Sequence, residues 1–215
     1  MLPWRYIVVE GVIGVGKTSL SKLLSTRTEG RLNLEIVEEN PFLSNFYLDR
    51  STFAFQTQIF FLLSRFRQQQ DLFQNDLFSN TLISDYLFAK DRIFANLNLG
   101  DDELGLYNQL ATILEQRVRK PDLVIYLQAR TDVLMQRINW RGRSFEQNMD
   151  AGYLDALNGA YSYFFHHYKD APLLVVNTDN LDFVNVPRDF DLLYEQIKEE
   201  FTGTHYFAPD SRGGL

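Results

Sequence analysis

The residues best suited to chemistry form a glycine-rich segment near the start of the chain, Gly11-Val12-Ile13-Gly14-Val15-Gly16-Lys17-Thr18-Ser19. It matches the pattern G-x-x-x-x-G-K-[ST], and it follows an apolar run and opens a helical one, which is the context that the pattern requires. Glycines let backbone N–H groups turn towards phosphate oxygens, and the following helix adds a favourable dipole. Lys17 would then reach the β- and γ-phosphates. The segment therefore predicts binding of a nucleoside triphosphate.

An acid ends a second apolar run, Leu82-Ile83-Ser84-Asp85. In proteins with such a phosphate loop, a carboxylate at the end of a strand lies near Mg²⁺. We therefore expect the Thr18 hydroxyl and Asp85 to hold Mg²⁺, through phosphates and water. A cap or turn residue at the end of the strand is the alternative interpretation of Asp85. The sequence has no guanine-reading Asn-Lys-x-Asp motif, which disfavours a small GTPase.

Three arginines, Arg137, Arg141 and Arg143, lie within one short segment of an acidic chain. Arg137 and Arg141 are four residues apart and share a helix face, and Gly142 then breaks the helix. The cluster predicts a mobile lid, over about 137–148, that closes over the transferred phosphoryl group, stabilises its charge and excludes water. A solvated run of surface charge is the alternative.

The hydrophobic pattern predicts the scaffold that holds these segments. Short, nearly continuous apolar runs are typical of strands buried on both faces, and they alternate with amphipathic runs typical of helices. This alternation predicts an α/β protein, a three-layer αβα P-loop fold with a five-stranded parallel sheet. The predicted strands are 6–10, 34–37, 81–85, 123–127 and 173–177, and the predicted helices are 18–28, 53–73, 88–97, 102–119, 131–139, 152–168 and 190–201. We expect one domain over 1–201 and a loosely ordered tail over 202–215.

The composition excludes several classes of protein. The chain has 215 residues, a net charge of −7 and no cysteine, which excludes disulfides, thiolate metal sites and cysteine catalysis. The acidic balance argues against a nucleic acid polymer as partner. No apolar run approaches the roughly 20 residues of a membrane span, and no secretory signal pattern opens the sequence, so we expect a cytoplasmic protein. His166, His167 and His205 lack the spacing of a zinc site.

Five segments together resemble the deoxynucleoside kinase family, and most closely its short bacterial purine members, the deoxyguanosine kinases. The similar segments are 10–18, 35–42, 55–65, 85–95 and 137–146, and the resemblance runs from Tyr6 to about Leu181. It implies a phosphotransferase that moves the γ-phosphoryl group of ATP to the 5′-hydroxyl of a purine deoxynucleoside. Deoxyguanosine is the expected acceptor, and deoxyadenosine and deoxycytidine are the alternatives.

The resemblance also implies which carboxylate acts as the base. The family's catalytic carboxylate follows the second strand, and the match places it on Glu35, which would accept the hydroxyl proton. Chemistry alone leaves Glu38 and Glu39 open, because all three acids lie near one end of the predicted strand.

The same resemblance assigns residues to the nucleoside. Gln58 and Arg65 are seven apart and share a helix face; with Asp91 they would face the base, and Tyr47 and Glu146 would face the sugar 3′-hydroxyl. Asp85 and Tyr86 complete the predicted nucleoside site. Three aromatic residues that could line the ring, or belong to the core, are Phe61, Phe88 and Phe94.

The chain departs from the family pattern at two positions. Tyr86 stands where the family has an arginine, and Lys90, one helical turn further on, could substitute for it as a point charge. Phe145 replaces the first glutamate of the family's lid.

Two other functions and one assembly are consistent with these motifs. A thymidylate-type nucleoside-monophosphate kinase shares the loop and lid, but the acidic segment at Glu35 would repel a phosphate acceptor. A regulatory ATP-binding module would need no proton acceptor. The family resemblance implies a homodimer, possible also with a related subunit, and apolar residues over 68–73 and 104–113 could form its interface or belong to the core.

Overall fold

The computed structural model of the chain describes residues 2–37, 39–74, 81–143, 146 and 149–209. Within them, six strands form one parallel sheet in the order β2-β3-β1-β4-β5-β6. The strands are β1 (Tyr6–Gly11), β2 (Arg31–Asn33), β3 (Leu82–Ser84), β4 (Leu123–Gln128), β5 (Leu173–Asn177) and β6 (Thr204–Phe207). The helices are α1 (Lys17–Thr28), α2 (Leu43–Leu48), α3 (Arg50–Gln74), α4 (Asp91–Asn98), α5 (Asp101–Glu115), α6 (Thr131–Arg141), α7 (Ala151–His167) and α8 (Pro187–Lys198).

The architecture confirms the predicted α/β class with its parallel sheet. Every residue of β1 is buried, as expected for a central strand covered on both faces. β1 pairs with β4 from Ile7 opposite Leu123 onwards and with β3 from Tyr6 opposite Leu82. No helix in the described part of the chain is both long and apolar enough to cross a bilayer.

The sheet has six strands, so the predicted number of five was wrong by one. The sixth strand, Thr204–Phe207, lies in the segment that we expected to be a loosely ordered tail, and it pairs with β5 along the sheet edge. Its residues are exposed or half-buried. A four-residue edge strand of this kind lacks the apolar run that marks the buried strands, which is why the pattern missed it.

The second strand also differs from its prediction. It spans Arg31–Asn33 rather than 34–37. The reason lies in Asp85, whose Oδ1 accepts the backbone N–H of Glu35 at 2.7 Å. This side-chain bond takes the place of a ladder bond, so the chain leaves the sheet after Asn33. Residues 34–37 have no regular secondary structure and follow the carboxyl end of β2.

Topology brings the predicted functional segments together. β2, β3 and β1 are neighbours in the sheet, so Glu35, Asp85 and the phosphate loop all follow the carboxyl ends of adjacent strands. Ligands of open α/β sheets bind at this edge. A buried carboxylate, Glu10, ties the edge together: it accepts the backbone N–H groups of Gly11 at 3.0 Å and Leu87 at 2.7 Å and the hydroxyl of Tyr161 at 3.2 Å.

We expect β6 to contribute to stability although it lies at the edge. A chain that ends at Phe201 loses the backbone hydrogen bonds to β5, each worth about 0.5–1.5 kcal/mol. We therefore predict that the melting temperature measured by circular dichroism falls by about 5 °C or more, at about 2–4 °C per kcal/mol for a chain of this size. A chain that ends at Pro209 keeps the strand and is the control. Equal melting temperatures for the two truncations would contradict a structural role for β6.

Candidate active site

A cavity opens at the carboxyl edge of the sheet, over the phosphate loop. Its walls come from the loop and α1, the segment after β2, helices α2 and α3, the segment after β3, the lid segment and α7. The lining residues are Ile13, Gly14, Lys17, Thr18, Glu35, Val37, Leu43, Phe46, Tyr47, Thr57, Gln58, Phe61, Arg65, Asp85, Lys90, Phe94, Arg141, Arg143, Glu146 and Tyr161.

The phosphate loop has the backbone that its glycines allow. Gly11 has φ 147° and Gly14 has φ 86°, values that other residues rarely adopt. A Cβ on Gly11 would also lie 2.4 Å from the carbonyl oxygen of Leu127. Lys17 Nζ donates to the carbonyl oxygens of Gly11 at 2.8 Å and Val12 at 3.3 Å. The ammonium thus lies within the curve of the loop. Burial, followed by the charge of Lys90, lowers the pKa of Lys17 to about 8.

Asp85 joins the phosphate loop to the segment after β2. Its Oδ2 accepts the Thr18 hydroxyl at 2.5 Å, and its Oδ1 accepts the backbone N–H of Glu35 at 2.7 Å. The carboxylate is nearly buried, with 4% of the residue exposed. The hydroxyl of Thr18, at the start of α1, and the carboxylate of Asp85, after β3, are the hard oxygen ligands that Mg²⁺ prefers.

Two cations hold the carboxylate of Glu35. Arg65 donates to Oε1 from Nε at 2.8 Å and from Nη2 at 2.5 Å, and Lys90 Nζ donates to Oε2 at 2.7 Å. The side chain of Glu35 is 11% exposed. Burial would raise the pKa of Glu35, but the charges and hydrogen bonds of Arg65 and Lys90 outweigh it and hold the pKa well below its usual range. Glu35 is therefore ionised, and each of its oxygens accepts at least one hydrogen bond.

A second carboxylate, that of Asp91, also holds the guanidinium of Arg65. Its Nη1 donates to Asp91 Oδ1, and the hydroxyl of Tyr107 donates to Asp91 Oδ2 at 3.0 Å. Its guanidinium also stacks over the ring of Phe61, 4.8 Å from the centroid. Burial and the charge of Asp91 raise the pKa of Tyr107, so its hydroxyl stays protonated and donates. Arg65 thus presents its guanidinium to the cavity in one orientation.

Other polar groups of the cavity are suited to a neutral polar ligand. Gln58 is 2% exposed, and its Oε1 has no hydrogen-bond partner in the described part of the chain. Such a buried acceptor is costly unless a ligand satisfies it. In the lid segment, Arg141 Nη2 donates to both oxygens of Glu146, at 2.6 and 2.5 Å. Tyr47 lines the same cavity, and burial raises the pKa of its hydroxyl.

Comparison with known proteins agrees with this geometry. Residues 7–202 match the sequence profile of a protein family that is described as deoxynucleoside kinase. The chain belongs to the deoxynucleoside kinase family. It is 34% identical over 199 residues to a deoxyguanosine kinase of Bacillus subtilis (strain 168), covering 90% of this chain and 96% of that protein. It is 28% identical to a deoxyadenosine/deoxycytidine kinase of the same strain, covering 89% and 90% of the two chains. The structure of a deoxyadenosine kinase from M. mycoides with bound dATP is 27% identical and superposes with a TM-score of 0.79, covering 91% of this chain and all of that one.

The kinase brings many of the predicted residues to one cavity, but Asp91, Tyr86 and Arg137 do not line it, and neither do five residues of the predicted ATP-binding segment, Gly11, Val12, Val15, Gly16 and Ser19. Asp91 lies behind Arg65 and does not line the cavity. Tyr86 is fully buried and does not line it either. Phe88, which could line the ring or belong to the core, packs in a second apolar cluster with Leu62, Ala95, Tyr107 and Ala111, as its core alternative expects.

Arg137 does not line the cavity either. It donates to the hydroxyl of Thr178 at 3.0 Å, to the carbonyl oxygen of Thr178 at 2.8 Å and to that of Val15 at 3.3 Å. It therefore braces the phosphate loop against the segment after β5, whereas Arg141 and Arg143 line the cavity. Glu38, the alternative base, and Phe145 lie outside the described residues, as do Ser144, Gln147 and Asn148 of the predicted lid.

Sequence reasoning missed Glu10 and Tyr161 in this kinase. Glu10 is completely buried, and its bond to the Tyr161 hydroxyl positions an aromatic residue that lines the cavity. A signal was present, since an acid that ends an otherwise apolar strand, directly before a phosphate loop, must have a partner. That partner comes from α7, far along the chain, so the sequence pattern could not name it.

Lys17 makes binding of a triphosphate to the kinase dependent on pH. Below pH 8 the ammonium is already charged, whereas above pH 8 ATP must bind together with a proton. We predict that the Kd of MgATP, measured by calorimetry, is flat from pH 7 to 8 and then rises by up to about tenfold per pH unit. Lys17→Arg keeps its charge and should lose this dependence. A flat profile for the unmodified kinase up to pH 9.5 would contradict the assignment.

Proposed function

We propose that this kinase transfers the γ-phosphoryl group of ATP to the 5′-hydroxyl of a purine deoxynucleoside, with deoxyguanosine as its acceptor. The observation that carries the proposal is Glu35, an ionised carboxylate in the wall of the cavity that also holds Lys17 and Gln58. A phosphoryl transfer to a neutral hydroxyl needs one group to accept a proton and others to meet phosphate charge. The cavity contains both.

In the proposed reaction, Glu35 accepts the proton of the 5′-hydroxyl. The bond from the 5′-oxygen to the γ-phosphorus forms, the bond from that phosphorus to the β,γ-bridging oxygen breaks, and ADP leaves. The transition state of such transfers is loose, so charge spreads over the phosphoryl oxygens and the base needs only modest strength. Lys17, Arg141 and Arg143 line the cavity and would meet this charge.

Thr18 and Asp85 suit a Mg²⁺ ion that arrives with ATP, because a hydroxyl and a carboxylate are oxygen ligands and both line the cavity beside the phosphate loop. The ion would neutralise part of the phosphate charge. No set of three or more His, Cys, Asp and Glu side chains suited to a metal occurs among the described residues, so the phosphates and water would complete its shell.

The choice of guanine over adenine is an inference from the hydrogen-bond donors of Arg65. Its contacts with Glu35 and Asp91 use three of its five N–H donors. The two remaining donors would suit the two acceptors of guanine, O6 and N7, whereas adenine offers one acceptor and one amino donor at the same edge. The unsatisfied Oε1 of Gln58 would accept a hydrogen bond from the base. The resemblance to the Bacillus subtilis deoxyguanosine kinase supports the same acceptor.

Assembly and location complete the proposal. We infer a homodimer, possible also with a related subunit, that serves nucleotide salvage in the cytoplasm. Within the predicted interface segment 104–113, Leu106, Leu110 and Ile113 are 49%, 36% and 57% exposed. They are spaced along one face of α5, an apolar stripe that a second subunit would cover. Light scattering on the purified chain distinguishes a dimer from a monomer.

A panel of acceptors tests the function directly. With MgATP as donor, we expect turnover of deoxyguanosine with the highest kcat/KM, weaker turnover of deoxyadenosine and deoxycytidine, and none of dTMP. Product formation is followed by chromatography. Turnover of dTMP without that of any nucleoside would support a thymidylate-type kinase instead. ATP binding without turnover of any acceptor would support a regulatory module.

A substitution at Glu35 tests the role of the base in the same assay. Glu35→Gln should lower kcat by about 10²–10⁴-fold and leave the deoxyguanosine Kd within a few-fold of the original. Because the substitution removes the carboxylate that Lys90 pairs with and one of the two that Arg65 pairs with, circular dichroism must first show that the variant is folded. Glu39→Gln, at an exposed position, is the matched control. A comparable loss in Glu38→Gln, with Glu35→Gln active, would move the base by three residues.

A further inference from the structure

Lys90 is a buried cation that the proposed reaction has not yet used. It ends the short 3₁₀ turn Phe88–Lys90 and directly precedes α4. Only 3% of the residue is exposed. A helix N-terminus repels positive charge, and lysine is almost never fully buried unless it is paired. Its position therefore depends on its hydrogen bond to Glu35 Oε2, 2.7 Å long.

The ammonium of Lys90 belongs to the cavity in which the phosphates of ATP would bind. Lys90 lines the cavity together with Gly14, Lys17 and Thr18. Its charge is, after burial, the largest cause of the lowered pKa of Lys17. An ammonium has three N–H donors, and the bond to Glu35 uses one of them. A γ-phosphate held by Lys17 would therefore give Lys90 a second anionic partner within the same cavity.

The hydrogen bonds and charges on Glu35 weaken it as a base. Oε1 accepts two N–H groups from Arg65, and Oε2 accepts Lys90. Oε2 keeps one open lone-pair site, but the adjacent ammonium lowers its basicity, so withdrawal of a cation would make Glu35 a better proton acceptor. Arg65 is held in place by Asp91 and by the ring of Phe61. Lys90 carries its charge on a flexible four-carbon stem, and a point charge needs no fixed angle.

We propose that Lys90 exchanges partners during the reaction: its ammonium leaves Glu35 Oε2 for an oxygen of the γ-phosphoryl group when ATP is bound. Without the ammonium beside it, Oε2 is a stronger base for the proton of the 5′-hydroxyl. Lys90 stays protonated throughout, the proton from the acceptor goes to Glu35, and departure of the products returns the ammonium to the carboxylate. This inference rests on the proposed role of Glu35 as the base.

The exchange makes Glu35 and the γ-phosphate competitors for one ammonium, and this competition can be measured without turnover. We would determine the Kd values of ADP and of the β,γ-imido analogue of ATP by calorimetry, with Mg²⁺ present. Lys90→Met should weaken binding of the ATP analogue by about tenfold or more, the effect of losing a hydrogen bond to a charged group, and change the Kd of ADP less than twofold.

Glu35→Gln should change the Kd of the ATP analogue in the opposite direction. It releases Lys90 from its carboxylate, so the ATP analogue should bind several-fold more tightly than to the unmodified kinase, again with little change for ADP. The double variant Lys90→Met/Glu35→Gln should lose this gain. Lys120→Met, which removes an exposed ammonium paired with Asp170, is the control for loss of a positive charge and should change neither Kd.

Equal effects on ADP and the ATP analogue, or no effect on either, would overturn the exchange and leave Lys90 as a static clamp of Glu35. Each single variant decides the question without the other, so failure of one to fold does not matter. Failure of the proposed function has a different signature. If Glu35→Gln retains turnover, Glu35 is not the base, whatever the two Kd values show.

Discussion

The active site depends on one buried guanidinium, that of Arg65. It lies between two carboxylates, Glu35 on the loop after β2 and Asp91 at the start of α4. Each of these acids would be too costly to bury alone, since an unpaired buried charge costs several kcal/mol. The pairing therefore decides how closely α3, α4 and the loop after β2 approach one another. Tyr107 extends the same constraint to α5 through its bond to Asp91.

A carboxylate held by two cations is a weak base, and phosphoryl transfer tolerates this. The reaction needs little deprotonation of the attacking hydroxyl before the bond to phosphorus forms. What the site must supply instead is position and compensation of charge. The ion pairs of Glu35 hold its carboxylate in position, and the cations around Lys17 compensate the charge of the phosphates. If Lys90 changes partners as proposed, its ammonium first positions Glu35 and then compensates the charge of the γ-phosphoryl group.

Sequence reasoning reached this site where the chemistry is local. The phosphate loop, Asp85 and the strand ends that carry them follow from glycines, an acid and apolar runs within short segments. The family resemblance correctly identified the family, and Glu35, Gln58 and Arg65 do lie in one cavity. The edge strand β6 and the shift of β2 to Arg31–Asn33 were missed. Both depend on partners distant in sequence, the edge of β5 and the Asp85 carboxylate.

The roles of individual charges were harder to predict for the same reason. Arg137 and Arg141 share a helix, yet one braces the phosphate loop through Thr178 and the other lines the cavity beside Glu146. Asp91 was expected beside the ligand, but its bonds to Arg65 and Tyr107 hold it one layer behind. Lys90 had been considered as a substitute for the family's arginine, and only the three-dimensional arrangement brings its ammonium to Glu35. Tertiary contacts, rather than residue spacing, separate positioning residues from those in contact with a ligand.

The central claim is that Arg65 and Lys90 keep Glu35 ionised in the kinase without ligands. Carbon-13 NMR of glutamate carboxyl groups tests it most directly, with the Glu35 resonance assigned by its loss in Glu35→Gln. We predict that this resonance stays at the position of an ionised carboxylate down to the lowest pH at which the protein is folded, while exposed glutamates titrate near their ordinary pKa of about 4.3. A Glu35 resonance that titrates together with the exposed glutamates, or at higher pH, would contradict the account.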